Sequence, residues 1–78
     1  MKFYKMNSLI ACISGSDMIL AMPGVVKHCT KERNEVHHSI MIAQPEATQE
    51  EFENLLKQNS FEHPTVVLIY QSLKSKTL

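Results

Sequence analysis

TQEEFENLLKQNSFEHPTVVLIYQSL, residues 48–73, is the stretch from which the architecture is read. Thr48 and Glu51 form a capping box. The Thr48 hydroxyl accepts from the backbone N–H three residues on, and the Glu51 carboxylate accepts from the N–H of Thr48. Ala47 and Phe52 occupy the two positions of a hydrophobic staple, which sets the entry angle of the chain. Phe52, Leu55 and Leu56 then fall at i, i+3 and i+4 as one apolar stripe, leaving Glu50, Glu53, Asn54 and Lys57 for solvent. A helix from Thr48 to about Asn59 follows, and it needs a surface to lie on. Asn59 suits a left-handed stop and Pro64 breaks any helical continuation, so the β-branched and aromatic run Thr65-Val66-Val67-Leu68-Ile69-Tyr70 reads as a strand that supplies that surface.

Upstream, Gly15-Ser16 has the character of a type II′ turn between Leu9–Ile13 and Met18–Met22. Folding about that pair sets Ile13 opposite Met18, Ala11 opposite Leu20 and, on the other face, Cys12 opposite Ile19 and Ile10 opposite Ala21. Both faces of the hairpin are therefore apolar, more than one helix on one side requires. Phe3 and Tyr4 read as terminal residues folded over the back. Pro23-Gly24 ends the second strand and a third begins at Val25. A loop through Glu32-Arg33-Asn34 leads to an alternating fourth strand, with Val36, His38, Ile40 and Ile42 on one side. The element order is then ββββαβ. The expectation is an α+β fold, a mostly antiparallel sheet with one amphipathic helix packed on one face. Residues 1–78 form a single small domain, opening at its own Met1 and ending in a frayed tail over 74–78.

The chain has 78 residues, with eight basic residues balanced by eight acidic ones. A sequence pI near 6.9 removes the electrostatic case for nucleic acid or an anionic membrane as the main partner. The basic start Met1–Lys5 and the apolar Leu9–Ile13 resemble a leader, but Ser14-Gly15-Ser16-Asp17 interrupts the apolar segment and no clean cleavage site follows. The same interruption excludes a membrane span, and the expected location is cytoplasmic. Cys12 and Cys29 both lie in apolar runs and read as reduced, buried thiols rather than a disulfide framework.

Four constellations bear on chemistry. His28, Cys29, His37 and His38 are the ligand types zinc prefers, but on two paired strands they divide two to a face, so no metal site is expected. As nucleophiles, Cys12 lies in an apolar strand that raises its pKa, and Cys29 has Lys27, His28 and Lys31 near in sequence but no evident pocket, so no enzyme activity or cofactor is expected. Glu46, Glu50, Glu51 and Glu53 gather at the start of the helix, where they complement its dipole. Phe3, Tyr4 and Tyr70 with Lys2, Lys5, Lys27, Lys31 and Arg33 define the alternative, a single-stranded nucleic-acid binder.

The leading reading is a small stand-alone protein-binding module, an inhibitor or regulator of a larger protein machine of the kind carried by phages and mobile elements. Its partner surface is assigned to Leu9, Ile10, Met18, Leu20 and Met22, and its partner is another protein, a second copy included.

Overall fold

Three tight turns fold the first thirty residues into one antiparallel sheet. Strands β1 (Lys2–Met6), β2 (Leu9–Ser14), β3 (Asp17–Met22) and β4 (Val25–Thr30) lie in the order β1-β2-β3-β4. Asn7 and Gly15 take positive φ of 56° and 59° at the first two turns, and Gly24 takes 86° after Pro23 at the third. These are the positions where turns of this kind place a left-handed residue. The register about Gly15-Ser16 pairs Ile13 with Met18, Ala11 with Leu20, Cys12 with Ile19 and Ile10 with Ala21. The structure is a computed structural model and describes residues 1–59 and 61–76.

The fold is α+β, with three α-helices among the described residues rather than one: α1 (Glu35–Ile42), α2 (Gln49–Gln58) and α3 (Pro64–Lys76). α2 begins at the expected capping box. Thr48 Oγ1 accepts from Glu51 N at 3.1 Å, and Glu51 Oε1 accepts from Thr48 N at 3.1 Å.

Four parts of the expected element order are corrected. Phe3 and Tyr4 belong to an edge strand, where they pair with Cys12 and Ala11. The expected fourth strand is α1, in which His38 and Met41, three residues apart, are the buried positions. The expected last strand is α3. Pro64 is its first residue, where proline sacrifices no hydrogen bond and its fixed φ suits the helix. The run 65–73 carries helical spacing as well as β-branched residues, and Val66, Ile69, Tyr70 and Leu73 turn inward together. Valine and isoleucine cost a helix only a few tenths of a kcal/mol each, whereas burying one large side chain contributes about 1.5–3 kcal/mol, so packing decides. Of the expected frayed tail, Lys74–Lys76 complete α3, and Thr77 and Leu78 lie outside the described residues.

Alternation along the strands divides the sheet into two faces, and each has its own core. Phe3, Ile10, Cys12, Ile19, Ala21 and Val26 pack under Phe52 and Leu56 of α2 and Tyr70 and Leu73 of α3. Phe52 is fully buried at the centre, its ring 5.4 Å from Phe3 and 5.1 Å from Tyr70 in tilted contacts. On the opposite face Ala11, Met18 and Cys29 pack against Met41 of α1. The chain passes from the second face to the first around the outer edge of β1. There Lys5 N donates to Pro45 O at 2.9 Å and Ala47 N donates to Phe3 O at 2.9 Å. These bonds pair an edge strand that would otherwise present open backbone groups.

Candidate protein-binding surface

α1 owes its position to the end of β4. Lys31 N donates to Ser16 O at 2.7 Å, closing the β3–β4 ladder, and a 3-10 turn over Lys31–Arg33 then swings the chain onto the second sheet face. Asn34 ties this corner down, its Nδ2 donating to Thr30 O at 3.2 Å while its carbonyl accepts from His38 N at 2.9 Å. At the far end Gln44 Nε2 donates to Ile40 O at 3.1 Å and Pro45 stops the helix.

With 3.6 residues per turn, His38 and Met41 fall on one side of α1 and Val36, Ile40 and Ala43 on the opposite side. The first side is buried against the sheet. The second faces solvent, with Val36 70% and Ile40 42% exposed, and Ile42 on the flank is 47% exposed. Glu35, Val36, Ser39, Ile40, Ala43 and Gln44 line a shallow depression along this outer side. A surface helix of a monomer ordinarily keeps polar residues there. α1 is apolar on both sides.

Being short, α1 covers only part of its sheet face. Tyr4, Met6, Leu9, Ile13 and Leu20 are half-buried around the Met41 cluster, and Met22 and Val25 at the β3–β4 turn are exposed. Of the five residues assigned to a partner surface from the sequence, Leu9, Leu20 and Met22 lie on this face with some exposure. Ile10 and Met18 are corrected. Ile10 points to the other face, into the core beneath α2 and α3, and Met18 is fully buried in contact with the Met41 cluster. The outer stripe of α1 goes unseen when 36–42 is taken as a strand. The i, i+4, i+7 spacing of Val36, Ile40 and Ala43 after Asn34-Glu35 is its helical signal, which competes with the strand period that Val36, His38, Ile40 and Ile42 also satisfy.

The other constellations disperse. His28 lies on β4, its Nε2 2.9 Å from Asp17 Oδ1, while Cys29 is buried on the opposite face. His37 and His38 sit on α1, exposed and buried respectively. Among the described residues no three His, Cys, Asp or Glu side chains gather where they could hold a metal ion. Burial pushes the Cys12 thiol up to about 12, and it also raises Cys29, against a smaller opposing pull from Lys27. Neither thiol is activated as a nucleophile.

Three of the four acidic residues have structural partners. Glu46 pairs with Lys2 at 3.4 Å and Glu51 with Lys5 at 3.2 Å, while Glu53 bridges to α3. The aromatic residues that would stack on bases are divided: Phe3 and Tyr70 are buried in the first core, and Tyr4 lies on the second face. No described helix is long and apolar enough to cross a membrane.

Fold and surface together define a small α+β domain with a four-stranded sheet, two helices on one face and one on the other. No protein family, no curated protein and no solved structure matches this chain.

Proposed function

We propose that this protein is a protein-binding module that acts by occupying a partner's surface through α1 and the adjoining part of the second sheet face. The observation that carries the reading is the apolar outer side of α1, where Val36 and Ile40 stand in solvent on a helix whose other side is already buried. Exposed apolar side chains gathered on one helix face mark interaction sites. Leu9, Leu20 and Met22 lie with some exposure on the sheet face that α1 covers in part. Methionine suits such a position because its unbranched thioether adapts to an irregular partner.

The test is a variant carrying Val36→Glu and Ile40→Glu together. Both side chains point away from the core, so the helical circular dichroism and the cooperative melt should persist. Association with any protein, its own copies included, should fall at least tenfold. Unchanged association with an intact fold would remove this surface from the function.

A further inference from the structure

We infer that the outer edge of β4 is a second binding site, which takes an extended, acidic segment of another protein as an added strand along residues 27–30. It shares no lining residue with the depression on α1. The chain treats its two sheet edges differently. The edge of β1 is closed by the segment 45–47, whereas β4 pairs with β3 alone. The phase of that ladder decides which backbone groups of β4 are open. Met22 and Val25 flank the two-residue turn, and at the far end Lys31 N donates to Ser16 O at 2.7 Å, so Val25, Lys27 and Cys29 spend their backbone groups on β3. Val26, His28 and Thr30 direct theirs outward. Val26 is buried and Thr30 O accepts from Asn34 Nδ2. Among the described residues no turn, cap or side chain supplies a partner to the His28 N–H and C=O or to the Thr30 N–H, and both residues are half-buried.

A hollow follows the same stretch. Lys27, His28, Cys29 and Thr30 line it, together with Arg33 and Asn34 of the turn that follows. Consecutive strand residues point to opposite faces, so a hollow that touches all four runs along the edge and not over either face. An extended chain laid there would pair with the His28 backbone and the Thr30 N–H, the mode by which exposed sheet edges take peptides.

Charge selects the occupant. Lys27 and Arg33 in the hollow, and Lys31 between them in sequence, are exposed and make no ion pair among the described residues. Asp17, opposite Thr30 on β3, is held by His28 Nε2 at 2.9 Å, and neither Glu32 nor Glu35 lines the hollow. Carboxylates on an added strand would meet the Lys27 ammonium and the Arg33 guanidinium while the backbones pair. A second copy fits worse, because joining β4 to β4 brings two sets of these cations to one edge. A lysine on an edge strand guards against that self-pairing.

The test titrates isotope-labelled protein with the peptide acetyl-Glu-Thr-Glu-Val-Glu-Thr-amide, and with a counterpart carrying lysine in place of every glutamate, followed by NMR. The acidic peptide should shift the His28 and Thr30 amide resonances and slow their hydrogen exchange by about tenfold or more, and the lysine peptide should do neither. Two N-methylated forms of the acidic peptide, one methylated at its glutamates and one at its threonines and valine, separate strand pairing from attraction between charges. An added strand turns alternate N–H groups toward the protein, so one form should bind and the other should not. Lys27→Glu with Arg33→Glu should weaken the acidic peptide about tenfold or more with the melt unchanged, both side chains being exposed. Val36→Glu with Ile40→Glu should leave this binding as it is. Equal binding of the acidic and lysine peptides, equal binding of the two methylated forms, or no amide shift at millimolar acidic peptide would overturn the added strand. Protection of the His28 amide that grows with protein concentration in the absence of peptide would make a second copy the occupant and overturn it as well.

Discussion

Tyr70 of α3 donates its phenolic hydrogen to Glu53 Oε2 of α2 across 2.6 Å, and the same oxygen accepts from Lys74 Nζ at 2.9 Å and Gln49 Nε2 at 3.0 Å. One carboxylate oxygen thus joins the two helices that cover the first sheet face. The hydrogen bond from Tyr70, then those from Lys74 and Gln49, hold the Glu53 carboxyl down at about 2. Burial, reinforced by Glu53, pushes the Tyr70 phenol in the opposite direction, well above its ordinary value. Each group favours the ionisation state that keeps the bond.

The acid limb of stability should follow from Glu53. A carboxyl whose folded pKa lies below its unfolded value contributes stability above the ordinary value of 4.5, and that contribution is lost as the pH falls from there toward 2. Glu51, held low by the backbone N–H of Thr48 and then by Lys5, adds to the same limb. Melting temperature measured from pH 7 to pH 2 should therefore fall mainly below about pH 4.5. Glu53→Gln should flatten that fall while lowering the plateau. An equally steep acid limb in the variant would show that Glu53 does not govern it.

At the alkaline end the sign reverses. Tyr70, Cys12 and Cys29 all have folded pKa values above their ordinary ones, so their contribution is complete below about pH 9 and is lost as the pH rises past 9–10. Tyr70→Phe deletes the tyrosine's share and also frees Glu53 of its shortest bond. Its melting curve should show a shallower alkaline limb and an acid limb that is smaller than in the parent and ends at higher pH. Identical limbs in both proteins would exclude the coupling.

Asn59 makes a different join, between α2 and the β3–β4 turn. It is buried, accepts from Gly24 N at 3.0 Å and donates to Leu55 O at 2.9 Å and to Met22 O at 3.5 Å. Asn59→Ala strands the Gly24 N–H and two carbonyls, and should cost about 1–3 kcal/mol. For a domain of this size that is about 4–8 °C of melting temperature per kcal/mol. A loss under 2 °C would mean that water satisfies these groups at no cost.

What was legible in the sequence was local. The register of β2 on β3 follows from Gly15-Ser16, because a two-residue turn dictates which residues face each other. The start of α2 follows from Thr48 and Glu51, which need only each other. α1 and α3 are illegible for one reason: short apolar runs such as Val36–Ile42 and Val66–Tyr70 satisfy the period of a strand and that of a helix at once, and only packing against the sheet chooses. The surface inherits this ambiguity. Leu9, Leu20 and Met22 follow from strand alternation, whereas Met18 is hidden by Met41, a contact that exists only if 35–42 is helical. The outer stripe of α1 has the same dependence.

That choice between periods can be tested at Thr65, an exposed residue in the first turn of α3, which carries no acidic side chain there. The first turn of a helix ends in unsatisfied N–H groups and the positive end of the helix dipole, so an acidic side chain stabilises it by about 0.3–1 kcal/mol. Glutamate also has a higher helix propensity than the β-branched threonine. On a strand the same change runs the other way, since threonine is favoured there and glutamate is depleted. Thr65→Glu should therefore raise the melting temperature by about 2–6 °C at neutral pH and low salt. Part of that gain should disappear in 1 M salt, where the interaction with the dipole is screened to about 3 Å. A melting temperature at or below that of the parent would count against a helix beginning at Pro64 and restore the strand reading of Thr65–Tyr70.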